Sequence, residues 1–201
     1  MVTPLLTTKL YIPHARPRLV SRQRLIERLN AGSSRLTLVS APAGFGKTTI
    51  ISEWVRQNQP TLPASWLSLE ESENEPVRFW EYFIAALRTV QAGVGETSLA
   101  LLHSSEHVPI ESALVPLIND VTIISKDFVL VLDDYHFVKD QIIHQGLTFF
   151  LEHMPPCIHL VITTRVDPPF PIARFRGKGM LLEIGADDLR FSLEEVTNLF
   201  A

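Results

Sequence analysis

The fold of this 201-residue chain is decided by the stretch Ala41-Pro42-Ala43-Gly44-Phe45-Gly46-Lys47-Thr48-Thr49. An apolar run at 36–40 leads into it and predicts a strand, and an amphipathic segment at 48–57 leads out and predicts a helix. A strand, a glycine-containing loop and Lys-Thr at the start of a helix are the context of a phosphate-binding loop. In such a loop, backbone N–H groups and the positive end of the helix dipole form an anion site.

Individual residues of this loop suit the binding of a nucleoside triphosphate. Gly44 and Gly46 let the backbone approach phosphate oxygens closely, because glycine has no Cβ. We expect Lys47 to reach the β- and γ-phosphates and the Thr48 hydroxyl to bind Mg²⁺. The strict pattern begins with glycine, whereas this chain has Ala41 at that place. The predicted nucleotide contacts in the loop are Ala43, Gly44, Phe45, Gly46, Lys47, Thr48 and Thr49.

Composition and charge narrow the class of protein. Hydrophobic residues make up 46% of the chain, which is ample for a buried core. The net charge of −4 gives no electrostatic signature of nucleic-acid binding. The single cysteine, Cys157, excludes an internal disulfide and favours a reducing compartment, so we expect a cytoplasmic protein. An apolar run of about 18 residues is absent, so the sequence predicts no membrane contact.

Apolar runs alternate with helical patterns along the chain, which is typical of an α/β protein with a parallel sheet covered by helices. The predicted strands are residues 35–40, 65–69, 128–133, 159–163 and 181–184. The predicted helices are residues 21–30, 48–57, a segment that begins at 74–76, 111–124, 141–153 and 192–201. Pro116 sits awkwardly in the fourth of these helices and is expected to kink it.

The last predicted helix begins with a capping box formed by Ser192 and Glu195 and shows no stop signal before Ala201. From this pattern we expect that more protein followed, and that the chain is an excised domain or a truncated reading frame. The expected division is an N-terminal lead-in with the first helix at 1–30, a core at 31–190, and the start of a truncated helical subdomain at 191–201.

A second part of the site is predicted by the run Phe128-Val129-Leu130-Val131-Leu132-Asp133-Asp134. The carboxyl ends of parallel strands meet at one edge of the sheet, where ligands bind in open α/β folds. We therefore expect Asp133 to hold Mg²⁺, directly or through water, and Asp134 to orient or activate a water against the γ-phosphate.

The next strand ends in Thr163-Thr164-Arg165, which places a cation at the same edge of the sheet. The planar guanidinium of Arg165 matches phosphate oxygens and is expected to distinguish ATP from ADP. A surface ion pair is the other interpretation of this arginine. Together, Asp134, Lys47 and Arg165 form the predicted catalytic set, and Thr48 and Asp133 form the predicted metal ligands.

Other polar residues are less informative. His103 and His107 are four residues apart, but no acid or cysteine completes a zinc site. His136 follows the two acids and either lines the pocket or is an ordinary loop residue. Arg174 and Arg176 follow a proline-rich turn, where they bind phosphate, contact a neighbouring protomer or lie on a solvated face.

These residues together resemble the nucleotide-binding domain of MalT-like transcription regulators, the large ATP-binding members of the LuxR group within the STAND class of P-loop NTPases. The similar segments are Thr8-Lys9-Leu10 with Val20-Ser21-Arg22 and 25–29, the loop at 40–49, Ser65-Trp66-Leu67-Ser68-Leu69 with 78–80 and 85–87, and Leu132-Asp133-Asp134-Tyr135-His136 with 164–165 and 167–169. The resemblance spans almost the whole chain.

The resemblance implies a P-loop NTPase three-layer sandwich with a five-stranded parallel sheet in the order 5-1-4-3-2. It also implies ATP or ADP with Mg²⁺, and a switch between an ADP-bound resting form and an ATP-bound form that self-associates. Arg22 matches the family position that approaches the nucleotide base or phosphates, although a solvent-exposed arginine at a helix start is the other interpretation. The family's helical subdomain, winged helix, repeat sensor and helix-turn-helix would lie downstream, so this segment is expected to make no direct DNA contact.

Two functions fit the sequence. The first is a regulatory switch that binds Mg·ATP, hydrolyses it slowly and uses the γ-phosphate to order contacts with downstream domains. The second is a turnover ATPase or a kinase. The steady-state ATPase rate separates them, because tens of turnovers per second lie in the ordinary enzyme range and a rate far below roughly one per second does not.

Overall fold

The computed structural model describes residues 4–14, 20–32, 34–104 and 108–199. Five strands form one sheet in the order β2-β3-β4-β1-β5, and every neighbouring pair is parallel. This order is the predicted one, read from the other edge. The strands are β1 (Leu36–Ser40), β2 (Ala64–Ser68), β3 (Phe128–Asp133), β4 (Ile158–Thr164) and β5 (Leu181–Ile184).

Helices follow the strands in the alternation that the sequence predicts. They are α1 (Gln23–Ala31), α2 (Lys47–Asn58), α3 (Pro76–Arg88), α4 (Glu96–Leu102), α5 (Ile110–Thr122), α6 (Gln141–His153), α7 (Ile172–Gly177) and α8 (Leu193–Leu199). The sequence analysis did not predict α4 and α7, because helices of two turns or less are too short for an apolar period to repeat.

Predicted helix signals are present at two helix starts. The Glu75 carboxylate accepts hydrogen bonds from the backbone N–H groups of Val77 and Arg78, with Pro76 in the first turn of α3. At α8, the Ser192 N–H donates to the Glu195 carboxylate, and the Glu195 N–H donates to the Ser192 hydroxyl. The last two residues of the predicted final helix, 200 and 201, lie outside the described residues.

The sheet has an apolar layer on each face. Along β3, Val129 and Val131 belong to the cluster that includes α1 and α2, while Leu130 and Leu132 belong to the cluster that includes α3, α5 and α6. This alternation is the period of a strand buried on both faces. The predicted three-layer P-loop NTPase sandwich is therefore confirmed. No helix in the described parts of the chain is long and apolar enough to cross a bilayer.

The register of the sheet positions the candidate site. Ser40 at the end of β1 pairs with Thr164 at the end of β4, and Leu132 of β3 pairs with Ile162 of β4. The last residues of β1, β3 and β4 therefore lie side by side at one edge of the sheet, and the predicted phosphate-binding loop leaves β1 at that edge.

Candidate phosphate-binding site

The loop between β1 and α2 has the backbone conformation that its glycines predict. Gly44 has φ 84° and Gly46 has φ 78°, both in the left-handed region that side chains disfavour. A Cβ on Gly44 would meet no atom within 4 Å, so the strain of a larger residue there would come from the backbone. Gly46 is the residue directly before α2, whose first backbone N–H groups have no partner within the helix.

Lys47 is buried, with only 6% of its surface exposed. Its ammonium donates to the carbonyl of Ala41 at 2.8 Å and to the carbonyl of Pro42 at 3.0 Å. Burial lowers the pKa of Lys47, and the carboxylates of Asp134 and Asp133 oppose that shift. The lysine is therefore held against the loop by neutral carbonyls, which a phosphate oxygen can replace as partners.

Asp133 connects three elements of the site. Its Oδ1 accepts a hydrogen bond from the Thr48 hydroxyl of α2 at 3.0 Å and one from the Thr163 hydroxyl of β4 at 2.5 Å. Burial raises the pKa of Asp133 from 3.8 to about 6, and the neighbouring charge of Asp134 adds to the shift. A desolvated carboxylate beside a hydroxyl offers the hard oxygen ligands that Mg²⁺ prefers.

A cavity of about 320 Å³ lies in front of the loop. Its lining residues are Ala43, Gly44, Gly46, Lys47, Thr48, Thr49, Asp134 and Arg165. The structure thus brings six of the seven predicted loop contacts together with the predicted water-orienting acid and the predicted sensor arginine. Asp133 lies behind this lining, and Phe45 packs instead against the apolar cluster of α1 and α2.

Asp134 has an unusual backbone. It has φ 58° and is the only residue other than glycine with a positive φ in the described parts of the chain. Its N–H donates to the Thr163 hydroxyl at 3.0 Å, which fixes this turn at the end of β3. Asp133 and Asp134 consequently differ in environment, since one is buried and the other borders the cavity.

Arg22 does not line the cavity. Its guanidinium donates to the carbonyl of Phe45 at 3.2 Å and to the carbonyl of Leu189, and it lies 4.3 Å from the ring centre of Phe191. Arg22 is 6% exposed, so the interpretation as a solvent-exposed arginine is wrong. Arg22 thus supports the loop through the Phe45 carbonyl. Its direct contact with a nucleotide stays a prediction.

Arg174 and Arg176 are both engaged in ion pairs. Arg174 pairs with Glu152, and Arg176 contacts Glu183 at 2.8 Å. His107 lies outside the described residues, so the structure does not test the spacing of the two histidines.

Sequence reasoning missed two residues near the site. The sequence indicates for Thr163 only the end of a strand, yet its hydroxyl donates to the Asp133 carboxylate and accepts a hydrogen bond from the Asp134 N–H. For His136 the sequence does not distinguish a pocket-lining residue from an ordinary loop residue, and its Nδ1 lies 3.6 Å from the Asp134 carboxylate. The available signal for Thr163 was a polar residue that ends an apolar strand at the ligand edge of the sheet.

The residues fit Mg²⁺ bound together with a polyphosphate. Within the described ranges, no group of three or more His, Cys, Asp or Glu side chains could hold a metal ion. The Thr48 hydroxyl and the Asp133 carboxylate therefore offer too few ligands for a metal site made of protein alone. Mg²⁺ commonly takes its remaining ligands from phosphates and water.

A larger cavity, of about 580 Å³, lies elsewhere in the described part of the chain. It borders Pro63 and Ala64 at the start of β2, which is the opposite edge of the sheet. Lys126 is the one charged residue in its lining. Its chemistry gives no reason to place an anion or a metal there, so the smaller cavity is the better candidate site.

The burial of Asp133 predicts a dependence of stability on pH. Its pKa is 3.8 in the unfolded chain and about 6 in the folded protein, so the folded protein binds more protons between those values. The contribution of Asp133 to the free energy of unfolding should therefore fall as pH rises through this window. Asp133→Asn keeps an acceptor for both hydroxyls and should stabilise the metal-free protein at pH 7 by up to about 3 kcal/mol.

Urea unfolding across this pH window measures the effect, with Asp187→Asn at an exposed carboxyl as the matched control. The stability gained by Asp133→Asn over the wild type should grow as pH rises through this window, whereas Asp187→Asn should show no such growth; the comparison is needed because the lowered pKa of buried His159 acts in the opposite direction on both proteins. An unchanged slope in Asp133→Asn would show that burial of this carboxylate costs little.

Curated relatives match nearly the whole chain. The HTH-type transcriptional regulators MalT of Serratia proteamaculans (strain 568) and Cronobacter sakazakii (strain ATCC BAA-894) are 35% and 34% identical to it, each over 197 residues. Those residues are 98% of this chain but only 22% of each relative. The chain thus spans about a fifth of the length of these regulators. No protein-family model matches the chain.

A solved structure supports the fold. Cdc6p from Pyrobaculum aerophilum superimposes with a TM-score of 0.51 and 16% sequence identity, over 90% of this chain and 49% of that chain. At this identity the likeness concerns the fold alone. The sequence relatives go further: over the 197 matched residues this chain is a homologue of the MalT transcriptional regulators, the family that its motifs resemble.

Proposed function

We propose that this chain binds ATP with Mg²⁺ in the cavity of about 320 Å³ and hydrolyses it slowly, as a regulatory switch. One observation carries the proposal. A buried cation at Lys47, a hydroxyl–carboxylate pair at Thr48 and Asp133, an accessible acid at Asp134 and a cation at Arg165 converge on one edge of the sheet.

The binding step follows from charge and burial. The loop and the start of α2 supply N–H groups, and Lys47 supplies a desolvated positive charge. A triphosphate entering the cavity replaces the two carbonyl partners of Lys47 with charged oxygens, which accept stronger hydrogen bonds. Thr48 and Asp133 would hold Mg²⁺, which neutralises charge on the phosphates.

The hydrolysis step assigns Asp134 to the attacking water. The water oxygen bonds to the γ-phosphorus while the bond to the bridging oxygen breaks, giving ADP and inorganic phosphate. Asp134 orients this water and receives its proton, which passes on to the phosphate product. Arg165 borders the same cavity and contacts the γ-phosphate, so it responds to ATP and loses that contact with ADP.

The regulatory role comes from the relatives, which are transcriptional regulators. In a switch, binding and loss of the γ-phosphate alter contacts with other parts of the protein. We infer that residues 31–190 form the switch core and that 191–201 begin a helical subdomain of a longer regulator. ATP-dependent self-association, and DNA binding by a domain outside the 197 matched residues, belong to the same proposal.

Lys47→Ala tests the phosphate site. Removal of the buried ammonium should abolish binding of Mg·ATP and Mg·ADP in isothermal titration calorimetry, because the triphosphate loses its main cationic partner. Lys126→Ala, at an exposed lysine on the opposite edge of the sheet, should bind as the wild type does. Full affinity in Lys47→Ala would place the nucleotide elsewhere.

Asp134→Asn tests the hydrolytic role. The variant should bind ATP normally and hydrolyse it at least about 100-fold more slowly, which is the usual contribution of a positioned acid–base group. Asp127→Asn, at an exposed acid on the other side of the sheet, is the control. Loss of ATP binding in Asp134→Asn, instead of loss of hydrolysis, would assign Asp134 to the metal. A wild-type hydrolysis rate of tens of turnovers per second would favour a turnover enzyme.

Arg165→Ala tests the discrimination between nucleotides. ATP affinity should fall towards that for ADP, because the lost cation contacts only the γ-phosphate. The ratio of the two dissociation constants measures this, with Arg174→Ala as a control at a surface ion pair. A ratio equal to that of the wild type would remove Arg165 from the sensor role.

A further inference from the structure

His136 lies in a single 3-10 turn, Tyr135–Phe137, directly after the acids that end β3. Its side chain is 12% exposed, and its ring stacks on Phe137 with 4.4 Å between ring centres. The ring is therefore largely removed from water at the edge of the sheet that carries the candidate site.

Neither ring nitrogen of His136 has a hydrogen-bond partner in the structure. Buried polar side chains are normally paired, because an unpaired one loses its hydrogen bonds to water without replacement. The Asp134 carboxylate lies beside the ring, with 3.6 Å between Nδ1 and Oδ1. This distance is slightly longer than a hydrogen bond, and a small side-chain rotation would close it.

The surroundings keep this imidazole neutral. Burial lowers the pKa of His136, and the cations Arg165 and Lys47 lower it further, while Asp134 opposes them. A neutral imidazole has one N–H donor and one acceptor nitrogen. The N–H donor can pair with a carboxylate. Because Nδ1 is the nitrogen beside Asp134, a hydrogen bond between the two side chains requires the proton on Nδ1.

Asp134 needs such a partner. Its backbone is fixed by the Thr163 hydroxyl, but its carboxylate accepts no hydrogen bond from any described residue. A carboxylate that orients a water must itself be held, because a misplacement of about 1 Å can cost about 100-fold in rate. The Nδ1 of His136 lies 3.6 Å from that carboxylate, which makes His136 the candidate for this partner.

We propose that His136 is a positioning residue that donates a hydrogen bond from Nδ1–H to the Asp134 carboxylate and fixes it towards the cavity. This proposal rests on the proposed function, since it assigns Asp134 the task of holding the attacking water. The alternative is that the ring only fills space against Phe137, in which case its nitrogens have no role.

The contact itself can be tested without nucleotide. Nitrogen-15 NMR of the labelled chain distinguishes protonated from unprotonated ring nitrogens, and a His136→Gln spectrum identifies the His136 signals among the seven histidines. We expect the proton on Nδ1, and a shift of that signal in Asp134→Asn. A proton on Nε2, or no response to Asp134→Asn, would overturn the proposal.

The consequence is tested by single-turnover ATP hydrolysis in three variants. His136→Phe keeps the stacked ring without its nitrogens and should lower the rate constant about tenfold or more, with unchanged affinity for ATP. His136→Asn places an amide donor near the position of Nδ1 and should recover much of the rate, whereas His136→Gln places its donor near Nε2 and should not. His153→Asn, at an exposed histidine of α6, is the control.

The outcomes separate the two proposals. If the wild type binds and hydrolyses ATP but His136→Phe does so equally fast, the role of His136 is wrong and the proposed function stands. If the wild type binds no nucleotide, the proposed function fails and the role of His136 falls with it, whichever tautomer is found. Equal rates for the Asn and Gln variants would also overturn the assignment to Nδ1.

Discussion

The candidate site depends on one buried carboxylate. Asp133 is 4% exposed, and its carboxylate accepts hydrogen bonds from two hydroxyls, those of Thr48 on α2 and Thr163 on β4. An ionised carboxylate in that position is costly without a cation, which is why burial raises its pKa to about 6. The same cost supports the proposal that Mg²⁺ binds here, because a divalent ion would compensate a charge that the fold has already removed from water.

The turn after Asp133 places two adjacent acids in different environments, one buried and one at the cavity. A strand alternates its side chains, so β3 would send the next residue to the opposite face of the sheet. Asp134 instead has a left-handed backbone, its N–H donates to the Thr163 hydroxyl, and the residue borders the cavity. Thr163 thus links both acids to β4, and the relative position of the two carboxylates is set by the sheet register.

Local signals in the sequence predict most of the fold and much of the site. Apolar runs located all five strands to within one residue at each end, since a strand buried on both faces is continuously apolar. The loop, the paired acids and Arg165 follow because parallel strands deliver their ends to one edge. The position of Arg22 could not be predicted in this way, because its contact with Leu189 joins residues 167 positions apart. The two hydroxyl contacts to Asp133 are likewise tertiary.

Hydrogen bonds to backbone carbonyls hold the loop between β1 and α2 in the conformation that we propose for anion binding. Lys47, on α2, donates hydrogen bonds to the carbonyls of Ala41 and Pro42, and Arg22 donates one to the carbonyl of Phe45. Three carbonyl oxygens of the loop, the negative ends of their peptide dipoles, therefore face buried cations. Each peptide unit is planar, so the fixed carbonyls of Pro42 and Phe45 also fix the N–H groups of Ala43 and Gly46, whereas the Ala41 carbonyl precedes a proline and has no N–H in its peptide unit. The two cations thus stabilise the geometry of the proposed phosphate-binding loop, and of the two only Lys47 lines the candidate cavity.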